Sequence, residues 1–175
     1  MLKPGDPAPP FDLACALDGR IARCSLAKIS TELVLIFFYP NDFSFICPTE
    51  VAGFNDALKK FTAEDTAVVS LSIDSVDSHL RWARELGGIA YPLLADPDGN
   101  LARAYGVFDD DQKVALRATF ILDSKRKVAY SLSCPLNVGR SVSETLRIVR
   151  AIRTGRLCPA DWKPGVEFGP TDRDF

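Results

Sequence analysis

The chain has 175 residues, which is the usual size of one domain with a single hydrophobic core. Apolar residues make up 47% and charged residues 25%, a balance typical of globular proteins and unlike that of disordered chains. A formal net charge of −2, with no long block of like charges, argues against nucleic acid or an anionic membrane as a partner. We therefore expect a small substrate.

The cellular compartment is inferred from the start of the chain and from the cysteines. The first ten residues contain Lys3, Asp6 and four prolines instead of a basic region followed by an apolar stretch, so no secretory signal is visible. No apolar run approaches membrane-spanning length. The five cysteines are Cys15, Cys24, Cys47, Cys134 and Cys158. None of them form a C-x-x-C pair, and we expect a cytoplasmic protein with reduced thiols.

The first predicted element is a β-hairpin around Asp18-Gly19, a dipeptide that accepts the positive φ angles of a type I′ turn. In the register that this turn imposes, Cys15 and Cys24 become diagonal neighbours on the two strands. Diagonal thiols are too far apart to form a disulfide without backbone movement. We therefore interpret both as structural cysteines.

Apolar, β-rich runs further along the chain predict the strands of a buried sheet. These runs are residues 33–39, 67–73, 118–122 and 128–132. Helices are expected at residues 78–86 and 141–153, and the second begins with Ser141 and Glu144 at capping-box spacing. The alternation of strands and helices predicts an α/β domain in which helices cover a mixed sheet.

The most informative segment is residues 37–61, where a strand leads into PNDFSFICPTE and then into a helix with one apolar face. That face consists of Val51, Phe54, Leu58 and Phe61. Pro48 cannot occupy a helix interior but suits a first turn, so Cys47 lies at the helix N-terminus. Unpaired backbone N–H groups and the helix dipole stabilise a thiolate there. The segment predicts a nucleophilic cysteine.

Two other interpretations of Cys47 remain open at this point. Free cysteine is among the most buried residue types, so Cys47 could be a small packing residue. Ser44 weakens that interpretation because its hydroxyl can bond a thiolate or an oxygen substrate from one turn before, and Glu50 can orient a nearby arginine. A hydrolase with His79, the only histidine, as general base is the second alternative. No zinc-ligand spacing is present, and we expect no metal.

The pattern Pro40-x-x-x-Ser44-x-x-Cys47 resembles the active-site motif of peroxiredoxins. The segments DSVDSHLRWA, RATFILD, VGRSVSETLRIVRA and LCPADWKPG are similar to those of the typical two-cysteine, alkyl hydroperoxide reductase C type. The resemblance implies a thioredoxin-like fold, a central mixed β-sheet flanked by helices, with an N-terminal β-hairpin extension and a C-terminal tail. The implied domains are residues 1–155 for the peroxiredoxin domain and 156–175 for the tail.

The resemblance also implies the roles of the two principal cysteines and of the loop before the helix. Cys47 is the implied peroxidatic cysteine. Cys158 is the implied resolving cysteine, in a tail that we expect to have few fixed contacts. Pro40 would shield the thiolate from water, and the Ser44 hydroxyl, with the Cys47 backbone N–H, would hold the peroxide oxygens. Family members more often have threonine at position 44, and serine keeps the hydroxyl but loses the methyl group.

Three charged residues complete the site that the resemblance implies. Arg117, from RATF, would donate to both the thiolate and the peroxide and stabilise charge on the leaving oxygen. Glu50 and Arg140 would support it. From the residues alone, solvated surface positions are the expectation for all three. Cys134 has no role in the resemblance, and we expect it to pack.

The implied function is a thiol-dependent peroxidase for hydrogen peroxide and organic hydroperoxides, with no bound cofactor. Cys47 sulfenic acid would form a disulfide with Cys158 of the partner subunit. A dithiol protein, either thioredoxin or a flavoprotein disulfide reductase, would then reduce it. The expected assembly is a homodimer, and a decameric ring of dimers is a further expectation. A peroxide sensor or holding chaperone that uses the same cysteine is the alternative.

Overall fold

The computed structural model describes residues 1–170 of the chain. The strands in this part are β1 (Asp12–Leu17), β2 (Arg20–Ser25), β3 (Leu33–Phe38), β4 (Thr66–Ser72), β5 (Leu93–Ala95), β6 (Phe108–Asp109), β7 (Val114–Ala115), β8 (Arg117–Leu122) and β9 (Val128–Cys134). The α-helices are α1 (Cys47–Asp56), α2 (Leu58–Ala63), α3 (Val76–Glu85), α4 (Asn100–Ala104) and α5 (Val142–Thr154). A short 3₁₀ helix covers Leu26–Lys28.

Seven of these strands form one mixed sheet in the order β2-β1-β5-β4-β3-β8-β9. Strands β3, β4 and β5 run parallel, while β8 runs antiparallel to β3, and β9 runs antiparallel to β8. Helices α1 and α2 connect β3 to β4, and α3 connects β4 to β5, as parallel crossovers require. The predicted α/β class with a mixed sheet is confirmed.

Strand β3 lies inside the sheet and is buried along its whole length. Val34, Ile36 and Phe38 belong to the apolar cluster on one face, which also receives α4. Leu35 and Phe37 belong to the cluster on the other face, where α1, α3 and α5 pack. Successive side chains of a strand point to opposite faces of the sheet. Because both faces of β3 are covered, every position of the strand is apolar.

The N-terminal hairpin forms as predicted. Asp18 and Gly19 both have positive φ, at 50° and 74°, which a type I′ turn requires. Cys15 lies opposite Ala22, and Cys24 opposite Leu13, so the two thiols are diagonal neighbours. Both are free.

The chemical environment of these two thiols makes them poor nucleophiles. Burial raises the pKa of the Cys15 thiol. Burial, with smaller contributions from Cys15 and Asp12, raises the pKa of Cys24 to about 11. A thiol with such a pKa is almost entirely protonated near neutral pH, and the protonated form is not the nucleophile. These properties agree with structural roles for both cysteines.

The single helix expected after Cys47 is instead two helices, because the chain turns at Ala57 (φ −88°, ψ −1°). Val51, Phe54 and Phe61 are nevertheless fully buried in the same apolar cluster, and Leu58 packs at its edge. The turn therefore keeps the expected apolar face on the sheet.

Side chains cap the start of the other two long helices. Ser75 accepts a hydrogen bond from the Ser78 backbone N–H, so α3 begins two residues earlier than expected. Ser141 accepts from the Glu144 N–H, and Gly155 (φ 60°) ends α5, both as predicted. None of the helices within residues 1–170 is long and apolar enough to cross a lipid bilayer.

The chain after α5 folds back, so the expectation of a tail with few fixed contacts is wrong for the described residues. Trp162 is buried, its Nε1 donates to the Val166 carbonyl at 3.0 Å, and its ring stacks on Phe168. The Gly169 N–H donates to the Leu157 carbonyl at 2.8 Å. Burial of the two aromatic rings favours the folded tail. The last part of the predicted tail, residues 171–175, lies outside the described residues.

Candidate active site

The candidate site lies at the connection between β3 and α1. After Phe38 a loop of eight residues leads to Cys47, which is the first residue of α1, and Pro48 follows in the first turn. The N-cap residue, Ile46, makes no side-chain capping bond in the part of the chain that the structure describes. Pro48 has no N–H, and the Thr49 N–H donates to the Ile46 carbonyl at 3.0 Å. Within residues 1–170 the Cys47 N–H has no hydrogen-bond partner, so it can bond an anion or a substrate oxygen. The predicted position of Cys47 is confirmed.

Cys47 is completely buried, with 0% of its surface exposed. Its sulfur lies 3.3 Å from Arg117 Nη1, which donates a hydrogen bond to it. A cysteine that only packs needs no cationic donor, whereas a thiolate in an apolar cluster requires one. The packing interpretation correctly anticipated the burial but does not account for the guanidinium.

Arg117 is held in one orientation by three acceptors. It is the first residue of β8, and its Nε donates to the Leu136 carbonyl at 2.7 Å. Its Nη1 donates to Glu50 Oε2 at 2.7 Å as well as to the sulfur of Cys47. Only 4% of the Arg117 side chain is exposed. The expectation of a solvated surface arginine is therefore wrong, because the fold places this side chain under α1.

Glu50 joins Arg117 to Arg140. Its Oε1 accepts from the Arg140 backbone N–H and Nε, both at 2.8 Å, and its Oε2 accepts from Arg140 Nη2 at 2.8 Å. Arg140 Nη1 donates to the Ala118 carbonyl at 2.7 Å. The Glu50 and Arg140 side chains are 1% and 0% exposed. The family resemblance implied that these charged residues lie in one site, and the structure places them together. The surface positions expected from the residues alone are wrong.

The charges of this cluster are unbalanced without the cysteine. Two guanidinium groups carry two positive charges, and the Glu50 carboxylate supplies one negative charge. A buried excess charge is costly unless a counter-charge is present. A thiolate at Cys47, within hydrogen-bond distance of Arg117, supplies that counter-charge. The arrangement thus places a cationic donor, in a cluster with an excess of positive charge, against the Cys47 sulfur.

The protonation of Glu50 is set by its two arginines. Burial alone would raise the pKa of the Glu50 carboxyl, but the hydrogen bonds and charge of Arg140, with the charge of Arg117, lower it below its ordinary 4.5. A carboxyl with a lowered pKa stabilises the folded state above its ordinary pKa. That stabilisation is lost as the pH falls through the lowered value.

We expect Glu50→Gln to destabilise the protein at neutral pH by about 3–5 kcal/mol, because it leaves two buried arginines without a carboxylate. The difference in unfolding free energy between wild type and variant should shrink as the pH falls below 4.5. Urea unfolding at a series of pH values measures both effects. Glu144→Gln is the matched control, because its half-exposed pair with Arg147 should contribute at most about 1 kcal/mol. Equal effects of the two substitutions would contradict the prediction.

Pro40 and Ser44 lie in the loop between β3 and α1. Pro40 is buried, and Ser44 is half-buried. The Ser44 hydroxyl donates to the Asn41 carbonyl at 3.2 Å, which closes a tight turn, and not to the Cys47 sulfur. A hydroxyl that donates once can still accept from a peroxide O–H. The roles that the resemblance implies for Pro40 and Ser44 stay predictions.

His79 does not serve Cys47 as a base. Its ring Nδ1 lies 2.9 Å from Asp42 Oδ2, and its Nε2 lies 3.0 Å from the Leu94 carbonyl oxygen. Both nitrogens are therefore engaged, while the polar partner of the Cys47 sulfur is Arg117. The hydrolase alternative has no support in this geometry. Residues 1–170 also contain no group of three or more potential metal ligands.

Cys158 lies beside the C-terminal end of α5, whereas the N-terminal end of that helix packs close to α1, the helix that begins with Cys47. The Cys158 sulfur is half-buried, 3.4 Å from Thr154 Oγ1. Helix α5 has 13 residues, so it is about 20 Å long, and its N-terminal residue Val142 packs close to Gly53 of α1. Cys158 lines a cavity of about 630 Å³ together with Tyr130 and α5 side chains. The structure does not bring the two predicted redox cysteines together.

Cys134 is the last residue of β9 and lies opposite Arg117 in the β8–β9 register. It is half-buried, and its expected packing role stays a prediction.

Two backbone acceptors that orient the site could not be predicted from the sequence. The Leu136 carbonyl fixes Arg117, and the Ala118 carbonyl fixes Arg140. Backbone acceptors have no side-chain signature, so only the fold reveals them. Asp42 was also missed, although its position between Pro40 and Ser44 in the motif is a signal that could have found it.

A mixed sheet with a buried cysteine at a helix start, bonded to a fixed arginine, is typical of a thioredoxin-like protein with a candidate thiol nucleophile. The AhpC/TSA family model matches residues 4–131. The chain is 41% identical over 173 residues to peroxiredoxin prdx-2 of Caenorhabditis elegans, covering 93% of this chain and 86% of that protein. It is 40% identical over 177 residues to the thioredoxin peroxidase of Trypanosoma brucei rhodesiense, covering 95% and 89%. The chain belongs to the AhpC/TSA family.

Solved structures agree with this membership. Reduced 2-Cys peroxiredoxin of Plasmodium vivax superposes with a TM-score of 0.89 at 33% identity, covering 96% of this chain and 93% of that one. The expected thioredoxin-like fold is thereby confirmed. The protein is a peroxiredoxin, an oxidoreductase of the thiol-dependent peroxidase class.

Proposed function

We propose that Cys47 is the peroxidatic cysteine. The observation that carries this proposal is the 3.3 Å hydrogen bond from Arg117 Nη1 to its sulfur, inside a buried cluster with an excess of positive charge. The thiolate attacks one oxygen of the hydroperoxide, the S–O bond forms and the O–O bond breaks. Cys47 becomes a sulfenic acid, and the departing oxygen leaves as water or an alcohol once protonated.

Arg117 stabilises the charge that moves from sulfur to the leaving oxygen. Its guanidinium is fixed by Leu136 and Glu50 before the reaction, so little reorganisation is needed. Glu50 and Arg140 support it as a buried network. Such preorganised donors are most effective where water is excluded, and the burial of Cys47 meets that condition.

The loop before α1 completes the substrate site. The Ser44 hydroxyl and the free N–H of Cys47 hold the peroxide oxygens, and buried Pro40 keeps water from the thiolate. Because Cys47 has no exposed surface, a small hydroperoxide fits the site better than a bulky one. Hydrogen peroxide and organic hydroperoxides are the proposed substrates.

Cys158 of a second subunit resolves the sulfenic acid. Cys158 lies beside the C-terminal end of α5, which is about 20 Å long, while the N-terminal end of that helix packs close to α1, so a neighbouring subunit is the better source of the thiol. Cys47 is completely buried, and therefore the first turn of α1 must move before the sulfurs meet. The Cys158 thiol then displaces water from the sulfenic acid and forms a disulfide.

A dithiol protein returns the disulfide to two thiols. Thioredoxin and a flavoprotein disulfide reductase are the two candidates, and the thioredoxin peroxidase of Trypanosoma brucei rhodesiense favours the first. The proposed location is the cytoplasm, and the proposed assembly is a homodimer that can form a decameric ring. Within each subunit, residues 1–155 form the peroxiredoxin domain and 156–175 the tail that carries Cys158.

Peroxide consumption with each candidate reductant, followed by non-reducing electrophoresis, tests this cycle. We expect turnover with at least one dithiol donor and a disulfide-linked dimer after peroxide treatment of the wild type. Cys158→Ser should react once with peroxide and give no linked dimer. A linked dimer in Cys158→Ser would remove Cys158 from the mechanism. Oxidation that occurs once in the wild type and is never renewed by any donor would instead favour the sensor alternative.

A further inference from the structure

A buried pair of polar side chains lies at the loop between β3 and α1 and takes no part in the proposed mechanism. Asp42 and His79 form a pair whose side chains are both 0% exposed, with Asp42 Oδ2 2.9 Å from His79 Nδ1. Asp42 belongs to the loop between β3 and α1, and His79 belongs to α3. The pair therefore joins the loop that leads to Cys47 to a neighbouring helix.

The hydrogen-bond partners decide which protons the histidine carries. Nε2 faces the Leu94 carbonyl at 3.0 Å, and a carbonyl can only accept, so Nε2 must be protonated. Nδ1 faces both carboxylate oxygens of Asp42, at 2.9 and 3.1 Å. A neutral ring protonated at Nε2 would direct its Nδ1 lone pair at that carboxylate. Only an imidazolium donates through both nitrogens.

Two further donors act on the same carboxylate. The Tyr39 hydroxyl donates to Asp42 Oδ1 at 2.9 Å, and the Ser78 hydroxyl donates to Oδ2 at 2.8 Å. Burial, together with the charge of Asp42, raises the pKa of Tyr39 well above its ordinary value, so this hydroxyl keeps its proton. Three donors therefore point at one buried carboxylate, and an ionised carboxylate can accept from all three.

The turn that contains Asp42 has an unfavourable backbone conformation at the next residue. Phe43 has φ of 52°, a left-handed conformation that costs a non-glycine residue about 1–2 kcal/mol. The Asp42 backbone N–H is fixed by Asp74 Oδ2 at 2.9 Å, and the Phe43 ring packs against Trp82 of α3. Ser44 follows immediately, with its hydroxyl bonded to the Asn41 carbonyl.

We propose that His79 is a positioning residue for the peroxidase reaction, acting as a buried imidazolium that fixes Asp42 and thereby the turn that carries Ser44 to the start of α1. It does not touch the reacting atoms. The groups that face its ring are Asp42 and Tyr39 of the loop and the Leu94 carbonyl of β5. The Ser78 hydroxyl donates to the same carboxylate, and Asp74 accepts from the Asp42 backbone N–H. This inference rests on the proposed role of Cys47.

Nitrogen-15 NMR of the wild-type protein tests the charge state directly, because His79 is the only histidine of the chain. We expect signals of a doubly protonated ring at neutral pH, with both ring protons protected from exchange. Signals of a neutral ring with one unprotonated nitrogen would overturn the proposal. This measurement needs no variant and does not depend on activity.

Stopped-flow oxidation of Cys47 tests the positioning role. His79→Gln and Asp42→Asn should lower the second-order rate constant with hydrogen peroxide about tenfold or more, since small displacements of a site are costly. The later disulfide-forming phase should keep its rate. The control is Asp96→Asn, which removes a buried carboxylate that accepts from the Leu101 and Ala102 N–H groups of α4. It should lower the melting temperature while Cys47 reacts at the wild-type rate.

Wild-type rate constants in His79→Gln and Asp42→Asn would overturn the positioning role, and so would an equal slowing in Asp96→Asn. If the two core variants do not fold, Ser78→Ala removes one donor to the same carboxylate from a half-buried position. A smaller slowing in the same phase is then expected, and an unchanged rate refutes the proposal. Turnover that survives Cys47→Ser would instead show failure of the proposed function.

Discussion

Cys47→Ser should reduce peroxide turnover to the level of the reaction without enzyme. A serine hydroxyl stays protonated at neutral pH and cannot form the sulfenic acid, so both steps of the cycle are lost. The substitution is nearly isosteric, and the residue is buried in a well-packed cluster, so the fold should survive. Peroxide consumption with a working reductant, alongside circular dichroism, measures the two outcomes.

Cys134→Ser is the matched control for this experiment. Cys134 is also a free thiol near the site, at the end of β9 and opposite Arg117, but it makes no recorded contact with the Cys47 sulfur within residues 1–170. We expect it to retain turnover. Full activity in Cys47→Ser, or loss of activity in both variants, would remove Cys47 from the centre of the mechanism.

Arg117→Met should slow the reaction of Cys47 with hydrogen peroxide by about 10- to 100-fold. Methionine keeps much of the bulk but removes the donor to the sulfur and one positive charge. A hydrogen bond to a charged group contributes about 1.5–3 kcal/mol, and each 1.36 kcal/mol corresponds to about a tenfold change in rate. Stopped-flow measurement of the second-order rate constant gives the effect directly.

Arg126→Met separates this charge effect from a general loss of packing. The Arg126 guanidinium also lies against backbone acceptors, the carbonyls of Ile29 and Thr31, but on a different part of the fold. We expect this variant to lose stability and to keep the wild-type rate constant. An unchanged rate constant in Arg117→Met would show that another group activates Cys47.

The sequence alone was sufficient for the elements whose cause is local. Asp18-Gly19 imposes the hairpin turn, and the spacing of Ser141 and Glu144 starts α5, because turn and capping geometry depend on residues only a few positions apart. Pro48 placed Cys47 at a helix start for the same reason. The family resemblance also predicted that Arg117, Glu50 and Arg140 belong to the site. From residue type alone, all three would be expected at the surface.

Only the tertiary structure decided how these charges meet. Glu50 lies 67 residues from Arg117 and 90 from Arg140 along the chain, and their network forms because β8 and the start of α5 meet α1 over the sheet. The folded tail also depends on the packing of Trp162 against Phe168. No periodic pattern of apolar residues in the sequence predicts this contact. The Asp42–His79 pair spans 37 residues and is defined by the acceptors around the ring. Contacts between distant segments carry no local pattern, so burial and hydrogen-bond partners become known only once the chain is folded.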